Sequence, residues 1–466
     1  MEFVHHTVWK KALVVPIFKK GDAADPSNYR PISELCVPGK LLSNILNDVL
    51  YGRLEEQGLI PDEQGGFRVG RGCPEMVFIL HSVLLNRLRA GCRTYVAFVD
   101  VKKAYDTVCR PGLLLRLLEL GTPEHVWALI REWYSGDSAC IFMGGKQSTW
   151  FDTTLGVKQG DVASPILYSV FINPVVAALQ CGGVDLFDGR PPLRILLFAD
   201  DMCVLAEDAD ALQRMLDVVS AFADANRFKV STGVEQTKSM VMIYGDSWPL
   251  VAPSFSLCGD VLPFTDTYVY LGVTLHHQGE WGPYLDALRA KVFRRLAILK
   301  KSAGMHSGGF AVRRIRELMW AEFACLWEYA AGALLLSASE EQSVVLMWQA
   351  VLRSAVGVPS YVSCDAVAAD MDLLQAWPTA RYMMYRVNLW HKIANSLPSQ
   401  LLSRAAMLWQ RHGCGRPAGK GRFCWTKDSC GNWRGRVRLD LQRLGLCDCA
   451  RLQRGNPSCA NVCSRE

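Results

Sequence analysis

The chain has 466 residues, half of them hydrophobic and 21% charged, with a net charge of +6. Such a composition excludes wholesale disorder, and the length exceeds what one compact core holds, so two or three packed subdomains are expected. Its 17 cysteines are scattered rather than set in a short secreted framework, and no run of apolar residues reaches the roughly 20 needed to span a bilayer.

The opening Met1-Glu2-Phe3-Val4-His5-His6 has no basic and apolar leader, so a signal peptide is not expected, and a reducing intracellular compartment fits. Residues 9–18 are largely apolar and end in the basic turn Phe18-Lys19-Lys20-Gly21-Asp22. Pro31 then biases Arg30 toward an extended backbone. Leu42, Ile45, Leu46, Val49, Leu50 and Leu54 recur at helical spacing. The glycine-rich basic stretch from Gly65 to Gly72 interrupts that pattern.

Thr94 to Val99 is a buried-strand run that ends on Asp100, and Leu113 to Leu120 is helical, stopped by Gly121. Arg194 to Ala199 is a second buried-strand run, ending on Asp200-Asp201, after which Met202 to Ala206 resumes the apolar pattern. This predicts strand, tight turn with two carboxylates, strand. Asp210 to Asn226 is an amphipathic helix. Ser239 to Tyr244 and Tyr268 to Val273 are further strand candidates. From Trp281 onward the pattern turns helical, with Leu285, Leu288, Val292, Leu296 and Leu299 in one stripe and Arg289, Lys291, Arg294, Arg295, Lys300 and Lys301 around it. Residues 411–466 hold 12 basic and 4 acidic residues, +8, which leaves −2 for residues 1–410. The basic tail suits a polyanion, and a merely solvated tail reads the same way. Strands mixed with helices, then helices alone, predict an α+β fold followed by a helical module.

Two apolar strands that both end in carboxylates carry the chemistry. Uncompensated carboxylates at a core edge repel one another and lose hydration, a cost that a divalent cation offsets. Nucleotidyl transfer uses such a centre: two Mg²⁺ ions roughly 3.5–4 Å apart clamp the attacking and leaving oxygens of an in-line displacement. Asp100 and Asp200 are the expected bridging ligands, and Asp201 the outer one. Asp106, Asp208 and Asp210 lack the apolar approach and read as surface or capping residues.

These residues also resemble a known family. Phe98-Val99-Asp100-Val101-Lys102-Lys103-Ala104-Tyr105-Asp106 is similar to reverse-transcriptase motif A. Gly156-Val157-Lys158-Gln159-Gly160-Asp161-Val162-Ala163-Ser164-Pro165 is similar to motif B, and Phe198-Ala199-Asp200-Asp201 to motif C in its non-LTR form. Lys238 resembles the motif D lysine, and Tyr270-Leu271-Gly272-Val273 the primer grip of motif E. Pro16 to Gly21, Asn28 to Ser33 and Gly66 to Cys73 resemble LINE-type fingers, and the Asn28 to Ser33 stretch with the basic loop near Arg68 argues against another lineage such as a group II intron maturase. The resemblance covers residues 9–335 and implies a right hand of fingers, palm with an antiparallel sheet, and helical thumb. It also implies RNA-directed DNA synthesis by target-primed reverse transcription. The partners would be an RNA template, a DNA primer or target, and deoxynucleoside triphosphates, with no membrane. A nuclear setting follows by the same implication.

The expected domains are fingers 1–90, palm 91–280, thumb 281–345, a helical C-terminal module 346–410 and a basic cysteine-containing tail 411–466. Asp100, Asp200 and Asp201 would hold two Mg²⁺ ions, and Lys238 would give a proton to leaving pyrophosphate. Tyr105 would exclude a 2′-hydroxyl. Gln159 and Gly160 would lie over the nascent base pair, glycine allowing close backbone approach. Arg30 and Lys40, with Arg68 third, are candidate triphosphate contacts. Tyr270, Leu271 and Gly272 would grip the primer. The basic helix from Arg289 to Lys301 suits the duplex backbone. Motif B departs from the family's Leu-Ser-Pro at Ala163, a loss of packing volume and not of a reacting group. No endonuclease domain precedes the fingers, so the chain reads as a core truncated relative to a full element. An inactive relic that at most binds nucleic acid is the alternative. Cys447, Cys449, Cys459 and Cys463 do not match the family's knuckle and are expected to be reduced and unpaired.

Overall fold

The computed structural model describes residues 7–411 apart from 187, 233–237, 246–252, 304–311, 374–375 and 397–399. The basic tail beyond Arg411, with Cys447, Cys449, Cys459 and Cys463, lies outside the described residues.

Strand β1 (Lys11–Phe18) pairs antiparallel with β2 (Tyr29–Leu35). Helix α1 (Val37–Glu56), opened by Pro38 in its first turn, buries Leu46, Leu50 and Leu54. Ile45 and Val49 of the expected stripe stay exposed, so only one edge of it is core. After the glycine-rich loop, α2 (Cys73–Arg89) is buried along nearly its whole length. Then come β3 (Thr94–Asp100), α3 (Arg110–Glu119) and α4 (Glu124–Trp133). Strand β4 (Ser138–Met143) returns parallel to β1 and also pairs with β5 (Lys146–Gln147) and β6 (Phe151–Asp152), which completes the fingers sheet.

Helices α5 (Ser164–Ile172) and α6 (Pro174–Ala178) precede the hairpin of β7 (Ile195–Phe198) and β8 (Asp201–Ala206). Helix α7 (Ala209–Asn226) starts where the Asp208 carboxylate accepts the Ala211 N–H, an N-cap, as expected for that aspartate. Strand β9 (Met240–Tyr244) follows, then the hairpins β10 (Ser256–Leu257) with β11 (Asp260–Val261) and β12 (Thr267–Tyr270) with β13 (Val273–His276). Tyr268 to Val273, expected as one strand, is therefore two strands around a Leu271-Gly272 turn. The helical part comprises α8 (Gly282–Ala303), α9 (Val312–Leu318), α10 (Cys325–Glu328), α11 (Ala338–Val356), α12 (Cys364–Asp370), α13 (Pro378–Ala394) and α14 (Leu401–Arg411). A π-helical turn, Met319–Ala324, joins α9 to α10. Ser337 and Glu340 form a reciprocal capping box at the start of α11, and Gly357 ends that helix in the left-handed region. Among the described residues no helix is long and apolar enough to cross a membrane.

The central sheet has the order β7-β8-β3-β9, all antiparallel. Both faces are covered, which is why its strands read as unbroken apolar runs. Along β3 the alternation sends Tyr95, Ala97 and Val99 into a core built with α1 and α3 to α7. Val96 and Phe98 face the other core, shared with α2, the β12–β13 hairpin and the helices of the second half. That second core runs without a break from Trp281 to Leu408, so residues 281–345 and 346–410 pack as one body. The arrangement is α+β, a right hand with fingers, palm and thumb.

Helix α14 closes the structure by packing on α2. The Arg404 guanidinium donates to both carboxylate oxygens of Asp188, at 2.7 and 3.1 Å, in a nearly buried pair. Asp62 accepts the Leu401 N–H and pairs with Arg71, and Lys392 pairs with Glu75.

Candidate active site

The three aspartates meet at one end of the central sheet. In the β3–β8 pairing Asp100 lies opposite Asp201, so the two project from the same face. Phe198 pairs with Asp201 across a two-residue turn, Ala199-Asp200. Ala199 sits at φ +57°, a conformation that costs a non-glycine residue energy and needs support. Gln64, fully buried, supplies it: its side-chain oxygen accepts the N–H of Ala199 at 3.0 Å and of Gly66 at 2.8 Å. Its amide donates to Asn173 at 3.0 Å. A Cβ on Gly66 would stand 2.4 Å from the Ala199 nitrogen, so the glycine-rich loop serves close approach to this turn.

Charge at the site is out of balance. Burial, then Asp100, raises the Asp200 carboxyl above its ordinary range. Burial, then Asp200 and Asp100, pushes Asp201 up to about 6. On Asp100 the compensating charge is Lys238, whose ammonium donates to both carboxylate oxygens at 3.0 Å. Ser239 Oγ accepts the Asp100 N–H at 3.1 Å, and the Ser231 N–H donates to the Asp100 carbonyl at 2.7 Å, which fixes the strand end. Among the described residues no three carboxylate, imidazole or thiol side chains converge closely enough to hold a metal ion as they stand. The three aspartates share one sheet end, where Lys238 sits on the Asp100 carboxylate. The donor set nevertheless fits a hard divalent cation, because it is all carboxylate, partly buried and in excess of its counter-charge.

A carboxyl whose pKa rises on folding binds its proton more readily in the native state. Stability contributed by Asp201 therefore falls as pH climbs from about 4 through about 6. Without divalent cations, Asp201→Asn is expected to gain stability over wild type at pH 7.5 by roughly 2 kcal/mol and to lose that advantage by about pH 3.5. Denaturant melts across that range check this, and a pH-independent difference would refute it.

The Tyr105 ring stacks on Tyr168 of α5, with centroids 5.2 Å apart and planes 11° from parallel. Burial, then Asp200, raises its hydroxyl well above the ordinary range. The Tyr105 carbonyl accepts the Val157 N–H at 2.8 Å, which ties motif A to motif B. Gln159 offers its carbonyl to the Ser33 N–H at 2.7 Å, and Gly160, at φ +117°, would set a Cβ 2.7 Å from the Ser33 carbonyl oxygen. The close approach at Gly160 is thus to strand β2. Arg30, exposed on β2, acts electrostatically on Asp200, and Lys40 stands exposed in the first turn of α1. Arg68 is a correction: it donates to both Glu55 carboxylate oxygens at 2.7 Å and to the carbonyls of Pro61 and Gln64, so its donors are taken up inside the fingers. Tyr270 is a second correction, since its ring is buried in the core and only the turn at Leu271-Gly272 reaches outward.

Sequence reading missed several residues. Lys19 lies among Arg30, Lys238, Asp100 and Asp106; burial, then Arg30, lowers its ammonium below the ordinary range. Asp106, expected at the surface, is half-buried beside Lys103 and Lys19, with its carboxyl raised by burial. Tyr268 stacks on Phe98 with centroids 3.9 Å apart and donates to the Lys238 carbonyl at 3.2 Å. Beneath motif B lies a buried charge cluster. Arg110 donates to Asp137 at 2.7 and 3.1 Å and to the carbonyls of Gly156, Tyr134 and Thr153, and Lys158 stands 3.5 Å from Asp137. Trp133 Nε1 donates to Asp161 at 3.1 Å. Lys158 and Asp161 flank Gln159-Gly160, so that dipeptide is stapled on both sides.

Residues 17–275 match the model of the reverse transcriptase (RNA-dependent DNA polymerase) family. The probable RNA-directed DNA polymerase from transposon BS of Drosophila melanogaster is 26% identical over 374 residues, 78% of this chain and 40% of that protein. The RNA-directed DNA polymerase from mobile element jockey of the same fly is 26% identical over 375 residues, 78% of this chain and 39% of that one. A Pol polyprotein from the type-1 retrotransposable element R2 of Popillia japonica is 27% identical over 333 residues, 67% of this chain and 46% of that protein. The chain thus spans about two fifths of the length of the first two of these relatives. A solved telomerase from Candida albicans superposes with a TM-score of 0.42 at 11% identity, over 87% of this chain and 63% of that one.

Proposed function

Because this chain belongs to the reverse transcriptase (RNA-dependent DNA polymerase) family, we propose that it extends a DNA primer along an RNA template, as the catalytic core of a LINE-like retroelement. The pairing of Asp100 with Asp201, beside Asp200 on the turn, is the observation that carries this reading. Asp100, Asp200 and Asp201 would hold two Mg²⁺ ions, which would supply the Lewis-acid charge for an in-line displacement at the triphosphate. Lys238 would turn from Asp100 to the leaving pyrophosphate and give it a proton. Arg30, with Lys19 beside it, would take the triphosphate, and Lys40 is a third candidate for it.

The Tyr105 ring, backed by Tyr168, would exclude a ribose 2′-hydroxyl. Gln159-Gly160 would cover the nascent pair, and the Leu271-Gly272 turn would hold the primer. The basic residues of α8 would run along the duplex backbone. Target-primed copying of a chromosomal site would make the nucleus its place of action. The relatives are named as polymerases, which favours this reading over an inactive relic.

The test is primer extension with purified protein, Mg²⁺ and deoxynucleoside triphosphates on RNA and DNA templates. RNA-templated extension that chelator abolishes is expected. Duplex binding without extension on any template would overturn the reading in favour of the relic.

A further inference from the structure

The β12–β13 turn carries a strain that something must offset. Leu271 lies at φ +46° and Gly272 at φ +81°, which closes a two-residue hairpin. The left-handed region suits glycine or asparagine at the first of these positions, and leucine is disfavoured there. Tyr329 of the thumb reaches this turn. Tyr329, just after α10, donates its hydroxyl to the Leu271 carbonyl at 2.9 Å. Its ring covers Gly272, where a Cβ would stand 3.0 Å from the ring edge. Burial, then the Cys73 thiol at the start of α2, raises this hydroxyl well above the ordinary range, so it remains a donor at neutral pH.

The neighbouring Glu328 is tied to α13. It pairs with Arg381 and accepts the Tyr385 hydroxyl at 3.1 Å, while the Arg381 guanidinium lies over the rings of Trp320 and Tyr385 at 5.2 and 5.3 Å. Two residues from one thumb turn thus reach in opposite directions, Glu328 to the helical module and Tyr329 to the hairpin.

Resting on the polymerase reading above, we infer that Tyr329 is a positioning residue for the primer, a latch through which the helical half of the molecule sets the Leu271-Gly272 turn. The chemistry is one hydrogen bond to a strained carbonyl plus a ring against a glycine. It acts on the primer strand through the hairpin and leaves the triphosphate site alone.

Tyr329→Phe keeps the ring and removes the hydrogen bond; Tyr329→Leu removes both. The experiment uses the full chain with a fluorescent RNA–DNA primer–template, read by anisotropy, alongside extension kinetics with primer–template and nucleotide varied separately. Tyr329→Phe is expected to weaken duplex affinity about fivefold, the effect of losing one hydrogen bond of about 1 kcal/mol. The nucleotide KM should stay within about twofold of wild type, and Tyr329→Leu should lose more than Tyr329→Phe. Unchanged affinity in both variants, or nucleotide and primer–template KM rising in step, would overturn the latch. Wild-type protein that neither binds the duplex nor extends a primer would instead overturn the polymerase reading, and the latch with it.

Discussion

Asp200→Asn is expected to lose primer extension by about a thousandfold or more while the protein stays as stable as wild type or gains slightly. The two halves of that expectation have separate causes. Asp200 stands on the turn between β7 and β8, on a site whose only proposed work is to hold charge against a reacting triphosphate. Removing one carboxylate from such a centre forfeits about 4 kcal/mol or more of transition-state stabilisation. Folding, by contrast, bears the carboxylate at a cost: burial and Asp100 both raise its pKa, so the neutral amide is easier to keep there. Extension assays and denaturant melts on one preparation separate the two. Retained extension would remove the mechanism, and collapse of the fold would mean that the turn depends on the carboxylate in a way its contacts do not indicate.

Asp137→Ala is expected to destabilise the protein by about 3–5 kcal/mol, enough to threaten folding altogether. Asp137 has no solvent exposure, and it is the carboxylate partner of Arg110 while standing beside Lys158. Its loss strands buried positive charge against Trp133 and Tyr134, over whose rings Lys158 already lies at 4.9 and 5.7 Å. The double variant Arg110→Met with Asp137→Ala should lose less than the sum of the single changes, because removing both ends leaves less unpaired charge. Equilibrium unfolding of the four proteins measures this coupling. Strict additivity would show that the pair does not act as a unit.

The legibility of this molecule in its sequence follows a physical line. Strands buried on both faces leave apolar runs, and a carboxylate at the end of such a run is conspicuous, so Asp100, Asp200 and Asp201 could be singled out. Helical spacing likewise marked α1, α7 and α8. What failed to show was support that arrives from far away in the chain. Gln64 holds the Ala199 turn across 135 positions, and Arg110 finds Asp137 and Gly156 at separations of 27 and 46. In one dimension such residues look like surface polar groups.

Arg68 misled for the same reason: its Glu55 partner lies 13 positions back, on another element. The hairpin at Leu271 was read as one strand because its turn lacks the usual asparagine or aspartate. The conformation there is held by Tyr329, 58 residues later, and leaves no compositional trace.

The docking of α14 on α2 also has a mechanical meaning. The helical half enters from the β12–β13 hairpin and returns to α2 through α14, with Arg404 paired to Asp188, so it is fastened at both ends like a buckled strap. A thumb hung from one hinge can swing freely. One fastened twice can open only as far as its slack allows, or by unbuckling α14 from α2. On the proposed polymerase reading, grip on a duplex and release of it would then be set as much by that distant clasp as by anything that touches nucleic acid.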